Sequence, residues 1–184
     1  MVLVESNQKL KPGQKAPVFQ LCNVDGKIRS STDYSWANVL VVIFMCNHCP
    51  YVLSKIQAIK KLHEQYTLRN VAFVAINSNN HPDYPQDSFE NMKKFASENH
   101  IKFDYLFDDT QKTAKDYGAT CTPDVFVFDA DQLLAYHGRI DDARTPEAMP
   151  TTHDLVDVLD SLLVGSLPRS AFLPSTGCSI KWRE

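Results

Sequence analysis

No stretch of this 184-residue chain is apolar for long enough to span a bilayer. The run "VLVVIFM", residues 39–45, has seven residues and suits a core strand. There is no basic excess either. Lys and Arg number 19 against 22 Asp and Glu, a formal net charge of −3, and the aromatics are not interleaved with basic clusters. Neither nucleic acid nor membrane is therefore an expected partner. The opening "MVLVESNQKLKPGQKAPVF" lacks a basic segment followed by a long apolar one, so it does not read as a secretory signal. The expected location is the cytoplasm. Internal repeats and low-complexity linkers are missing as well. What remains is an ordinary soluble composition, 43% apolar and 22% charged, at a length that can bury a core. A single domain is expected over 1–184, with its core at about 11–164 and a tail over 165–184.

The five cysteines are Cys22, Cys46, Cys49, Cys121 and Cys178. An odd count argues against a secreted disulfide framework. In a reducing compartment a close pair is more often catalytic or metal-binding, and Cys46 and Cys49 form such a pair in "FMCNHCPYV". A second C-x-x-C is absent, and the other cysteines and histidines lack metal-ligand spacing, which disfavours zinc. Haem attachment needs a histidine directly after the second cysteine, where this chain has Pro50. No metal and no cofactor is expected. Two inert structural cysteines remain an alternative.

Hydrophobic period places the elements. "NVLVVIFMC" is continuous in β-branched and aromatic residues, as in a strand buried on both faces. "PYVLSKIQAIKKLHEQY" changes to three- and four-residue spacing, with Val52, Ile56, Ile59, Leu62 and Tyr66 on one helical face. "NVAFVAINS" reads as a second buried strand and "SFENMKKFASENH" as a second helix, capped by Ser88. "FDYLF" is a short strand; "QKTAKDYG" is a short helix ending at Gly118. "DVFVFDADQLLAYHGRI" is a hairpin turning at Asp129–Asp131, and "THDLVDVLDSLL" a closing helix. Upstream, Asp25-Gly26 joins two extended pieces. Residues 1–15 are expected to be loosely held, "PSTGCSIKWRE" shows no regular period, and "NSNNHPDYPQDS" is the one long polar loop. This order predicts an α/β fold with a central mixed sheet and helices on both faces.

Cys46 then falls at the C-terminal end of a central strand, where such sheets concentrate chemistry. The expectation is that Cys46 sits at a helix N-terminus with Cys49 one turn inside it, so that the two sulfurs can bridge. The helix dipole favours a thiolate at Cys46. Cys46 is thus the expected exposed, acidic nucleophile and Cys49 the resolving thiol. His48, if protonated, adds positive charge; otherwise it is a solvated bystander.

Strand, C-x-x-C, helix, and later a Thr-Pro opening a strand in "GATCTPDVFVFD": together these resemble the thioredoxin fold. The resemblance implies a three-layer α/β/α sandwich. It also implies a cis Thr122–Pro123 bond beside the dithiol, and a Thr122 backbone that pairs with an extended substrate segment. "KPGQKAPVFQLCNVDGK", through Gly13, Ala16, Pro17, Phe19, Leu21, Asp25 and Gly26, is similar to the opening of the redoxin group. That group holds AhpC/TSA-type peroxiredoxins and TlpA/ResA-like thiol-disulfide oxidoreductases, and it implies an N-terminal hairpin extension. "FMCNHCPYV", "AINSN", "YPQDSFENMKKFA", "GATCTPD" and "GCSIKWRE" look like one subgroup with a CNHC motif.

Departures from the pattern rank the activities. Peroxiredoxins carry P-x-x-x-[ST]-x-x-C, whereas Val39 and Ile43 fill those slots here. No arginine lies between Arg69 and Arg139 to hold a peroxide. Leu40 stands where thioredoxins keep a buried acid, so the base for Cys49 is unassigned. His48 before the second cysteine resembles disulfide isomerases and DsbA-like oxidases, which implies a more oxidising potential. Cys121 is either a further redox residue able to reach a mixed disulfide or a core residue. Cys22 reads as core or edge, and Cys178 as surface or interface. The expected function is a thiol-disulfide oxidoreductase cycling Cys46–Cys49 through a mixed disulfide with a protein or small thiol, served by an unidentified dithiol donor or acceptor. The alternatives are an antioxidant thiol peroxidase using Cys46, and a non-enzymatic redox-sensing or metal-binding module.

Overall fold

The structure, a computed structural model, describes residues 2–79 and 82–183. The chain runs β1 (Leu3–Glu5), β2 (Gln20–Asn23), β3 (Ile28–Ser30), β4 (Val39–Phe44), α1 (Pro50–Tyr66), β5 (Val71–Asn77), α2 (Phe89–Glu98) and β6 (Asp104–Phe107). It continues through α3 (Lys112–Tyr117), β7 (Cys121–Thr122), β8 (Asp124–Phe128), β9 (Leu134–Gly138), α4 (Asp154–Leu163), β10 (Phe172–Leu173) and β11 (Thr176–Ser179).

Alternation along the apolar run decides the layering. In β4 successive side chains point to opposite faces, and all six are buried. Val39, Val41 and Ile43 join a core with Val52, Ile56 and Ile59 of α1, Met92 of α2, and Leu155 and Leu159 of α4. Leu40, Val42 and Phe44 join a second core with Phe19, Tyr34, and Ala114 and Tyr117 of α3. A strand buried on both faces tolerates no polar alternation, so the run is apolar throughout. Each large side chain so buried contributes roughly 1.5–3 kcal/mol.

The main sheet has the order β10-β9-β8-β4-β5-β6-β2-β3. β4 is parallel to β5 and β5 to β6, whereas β4 and β8, β8 and β9, β2 and β6, and β2 and β3 pair antiparallel. This is the expected mixed sheet of a thioredoxin-like fold, with the β2–β3 hairpin as its edge extension. Gly26, in the left-handed region at φ 82°, makes the tight turn of that hairpin. Among the described residues no helix is long and apolar enough to cross a membrane.

Both chain ends differ from expectation. The two end segments expected to be loose or irregular supply β1 and β11, which join β7 in a second sheet of order β1-β11-β7. Leu3 faces Cys178 on one side of β11, and Cys178 faces Thr122 on the other. A four-residue strand containing a glycine shows no readable period. It exists because its backbone groups find partners on both edges, and those partners lie far away in sequence.

Candidate active site

β4 stops at Phe44, although Met45 N still donates to Ile76 O at 3.0 Å. α1 begins at Pro50, with Cys49 as its N-cap at φ −72°, ψ 119°. This corrects the expected placement of Cys46 on the helix. A residue before proline is driven out of the α region, so Cys49 is extended and the helix cannot start earlier. Cys46 therefore lies in the connecting loop. The Cys49 carbonyl accepts from Val52 N and Leu53 N, 3.0 and 2.9 Å away. Proline costs nothing at this first helical position, since its missing N–H would have had no partner.

The expected exposed nucleophile is also corrected. Cys46 is 1% exposed and Cys49 0%. Thr122 Oγ1 is 3.5 Å from Cys46 Sγ, and Thr122 O is 3.2 Å from Cys49 Sγ. Cys178 Sγ is 2.8 Å from Cys49 Sγ. None of the five cysteines is in a disulfide in this structure. Cys178, expected at a surface or interface, is instead buried in the same core as the dithiol.

The electrostatics reverse the expected order of acidity. A hydrogen bond shared with Cys49 pushes the Cys46 thiol up, and burial and the nearby Asp87 charge add to this. The same bond from Cys46 draws the Cys49 thiol down against burial, helped by the neighbouring Cys178 thiol and Thr122 hydroxyl. The two sulfurs are thus coupled, with Cys49, at the positive end of α1, the one drawn toward the thiolate. Burial and the Cys49 hydrogen bond push Cys178 up.

The long polar loop brings a buried acid to the Cys46 side of the site, though not into contact with Cys49. Asp87 is fully buried. Its Oδ1 accepts from Asn47 N at 2.8 Å and its Oδ2 from Asn79 Nδ2 at 2.7 Å. His48 Nδ1 lies 2.8 Å from Asp87 Oδ2. Burial works to raise the Asp87 pKa, yet the His48, Asn79 and Asn47 contacts outweigh it and hold it below the usual carboxylate value. In return Asp87 holds His48 above its usual value, against burial. The imidazole stacks on Tyr84, with centroids 5.8 Å apart and planes 8° apart. His48 therefore pairs with Asp87 and does not stand as an isolated charge beside Cys46. One signal pointed to the loop, though not to Asp87 within it: a long polar segment after the C-terminal end of a central strand. Donor atoms of Cys46, His48 and Asp87 lie within 4.8 Å of one another, so these three could hold a metal ion. Sequence spacing concealed the set because Asp87 comes from a separate loop.

Thr122–Pro123 is cis, as expected. The Thr122 edge, expected to take a substrate segment, is occupied by β11 of the same chain. Cys121 is fully buried, its Sγ 4.0 Å from Pro123 O and 3.9 Å from Ser175 O. Burial, with the Asp124 charge next, pushes its thiol well up, the setting of a protonated core residue. Cys22 is half-buried in β2, away from this constellation.

No curated protein matches the sequence. A crystal structure of an uncharacterized conserved protein from Geobacillus kaustophilus is 44% identical, covering 100% of this chain and 97% of the other, with a TM-score of 0.95. A hypothetical protein from Sinorhizobium meliloti is 35% identical over 97% of this chain and 98% of its own, with a TM-score of 0.92. The thioredoxin domain of a thiol-disulfide oxidoreductase from Bacteroides vulgatus is 16% identical over 68% of this chain and 86% of its own; its TM-score of 0.59 speaks to fold alone. The Redoxin family profile matches residues 11–159. That span holds the edge hairpin, the dithiol, the Asp87 loop and the cis-proline, and on this match the chain belongs to the Redoxin family.

Proposed function

We propose that the chain is a thiol-disulfide oxidoreductase that cycles Cys46 and Cys49 between dithiol and disulfide. The observation that carries this reading is the geometry: Cys46 and Cys49 lie at the end of a central strand with Thr122 Oγ1 3.5 Å from Cys46 Sγ and Thr122 O 3.2 Å from Cys49 Sγ, and the Thr122–Pro123 bond is cis. Such a cysteine pair supplies its own base. The Cys46 proton moves to the Cys49 thiolate, and the Cys46 thiolate attacks one sulfur of a substrate disulfide. The other substrate sulfur departs as a thiolate and takes the proton back from Cys49. Cys49, a thiolate again, attacks the Cys46 sulfur of the mixed disulfide. The Cys46–Cys49 bond forms, and the second substrate sulfur leaves as a thiolate that water protonates. Two electrons pass from protein to substrate. Thr122 Oγ1 touches the attacking sulfur at 3.5 Å, and Asp87 with His48 sets the charge beside it. The substrate class is a disulfide-containing protein or small thiol. An external dithiol returns the electrons, and the cytoplasmic setting belongs to the same reading.

The peroxidase alternative is weaker on chemistry. The slots that would carry a peroxide-binding proline and hydroxyl hold Val39 and Ile43, both buried in β4. The test compares dithiol-driven insulin reduction with hydrogen peroxide consumption, for wild type and Cys46→Ser. Reductase activity lost in the variant is the expected result. Peroxide turnover at roughly 10⁵ M⁻¹s⁻¹ or faster, within the ordinary enzyme range, together with no insulin reduction, would replace this reading with a peroxidase.

A further inference from the structure

The tail that covers the dithiol is held on every side. β11 pairs with β1 through Leu3↔Cys178 and with β7 through Cys178↔Thr122. Beyond it, Ile180 N donates to Thr120 O at 3.0 Å and Lys181 N to Asn79 Oδ1 at 2.9 Å. Within it, Gly177 sits against the Thr122 carbonyl, where a Cβ would lie only 2.1 Å from the oxygen. A residue clamped at both neighbours has little freedom to place its side chain elsewhere. That side chain is the Cys178 thiol, 1% exposed and 2.8 Å from Cys49 Sγ. A disulfide needs about 2.05 Å, so a movement of under about an ångström joins the two sulfurs.

We propose that Cys178 is a third redox cysteine, exchanging with the Cys46–Cys49 disulfide to give a Cys49–Cys178 disulfide. The inference rests on the oxidoreductase reading only for the source of the first disulfide, which is the substrate. In the exchange Cys178 loses its proton and its thiolate attacks the Cys49 sulfur. The Cys49–Cys178 bond forms as the Cys46–Cys49 bond breaks, and Cys46 departs as a thiolate that takes up the proton. One disulfide is consumed and one made, so no further oxidant or reductant enters. The oxidised chain thereby holds its disulfide in two registers, one of which returns Cys46 to the thiol form beside Asp87. It also locks β11 covalently onto the start of α1.

Tryptic mapping separates the registers. Cys46 and Cys49 share the fragment 30–55, while Cys178 lies in 170–181. The full-length protein is equilibrated across glutathione ratios, quenched with acid, blocked with N-ethylmaleimide and digested. The expected result is a 30–55/170–181 cross-link in wild type, with Cys46 carrying the maleimide. The cross-link persists in Cys46→Ser and is lost in Cys49→Ser and in Cys178→Ser. A wild type that shows only the internal Cys46–Cys49 bond at every ratio overturns the proposal. Insulin reduction is read on the same preparation. A cross-link without reductase activity sinks the oxidoreductase reading alone, and reductase activity with only the internal bond sinks the exchange alone.

Discussion

Gly177 meets the backbone of Thr122 so closely that a Cβ would stand 2.1 Å from the Thr122 oxygen and 2.8 Å from its carbonyl carbon. No L side chain fits there without movement of β11 or of the strand carrying the cis-proline. Gly177→Ala should therefore destabilise the protein by about 2 kcal/mol, in the range of small overpacking penalties. It should also loosen the cover over the dithiol. Urea unfolding and iodoacetamide labelling of Cys49 and Cys178 read the two effects. Unchanged stability together with unchanged labelling would mean that the tail does not bury the site.

The His48–Asp87 contact makes opposite predictions for its two members. Asp87 charge disfavours a thiolate on Cys46, and His48 masks that charge. Thiolate exists only in the reduced protein, so whatever favours it raises the reduction potential. His48→Ala should lower the potential and raise the Cys46 pKa; Asp87→Asn should do the reverse. A change of ~1 kcal/mol corresponds to about 20 mV for two electrons. The double variant should fall short of additivity, because each group acts through the other. Glutathione equilibration with thiolate absorbance gives both quantities. Shifts of the same sign in the two single variants would rule out this coupling.

The same pair shapes stability against pH. Asp87 titrates below its usual value in the fold, so its contribution is present above the unfolded carboxylate value, near pH 4, and fades as pH falls through the folded one. His48 titrates above its usual value. Its contribution is complete below about pH 6.5 and fades as pH rises through the folded value. Because His48 is only half-buried, breaking this pair costs less than a fully buried one, roughly 1–2 kcal/mol. The stability gap between wild type and Asp87→Asn should thus be widest between about pH 4 and 6.5 and narrow on both sides. Urea titrations at several pH values test this, and a gap that widens above pH 8 would contradict it.

Asp124 and His137 form a second buried pair, 3.0 Å apart and both 0% exposed. The imidazole also stacks on Phe126, centroids 4.0 Å apart. His137→Phe keeps the stacking shape but leaves the Asp124 carboxyl without this partner. A loss of about 3 kcal/mol is expected, larger than for Asp124→Asn, which keeps a group able to hydrogen-bond. Paired urea midpoints of the two variants would decide it, and the reverse order would show that packing outweighs the polar contact here.

Local pattern was enough for the frame. The two-faced run at β4, the three–four spacing of α1 and the glycines at 26 and 118 are local features, and each element formed where its period placed it. The C-x-x-C at a strand end and the Thr-Pro before the next strand also located the dithiol. Only the relation of Cys46 to α1 was misplaced, Cys49 and not Cys46 being the N-cap, although the reason was written in the chain: Pro50 disfavours a helical Cys49. Residues brought in by separate loops were not legible in the same way. Asp87 stands among several polar residues of one long loop, and nothing local separates it from its neighbours.

The sequence by itself determined the alternation that layers the sheet, the reactive pair and the strand-opening proline, because these depend on contacts between near neighbours or on backbone rules that act residue by residue. Only the tertiary structure decided what surrounds the pair. The first and last strands pair across almost the whole chain length, Leu3 opposite Cys178, and that pairing carries a third sulfur to Cys49 and closes the site over. The Asp87 loop likewise turns His48 from an expected isolated cation into half of an ion pair. Such contacts are stabilised by burial and by backbone partners drawn from distant segments, and no short-range period in the chain encodes them.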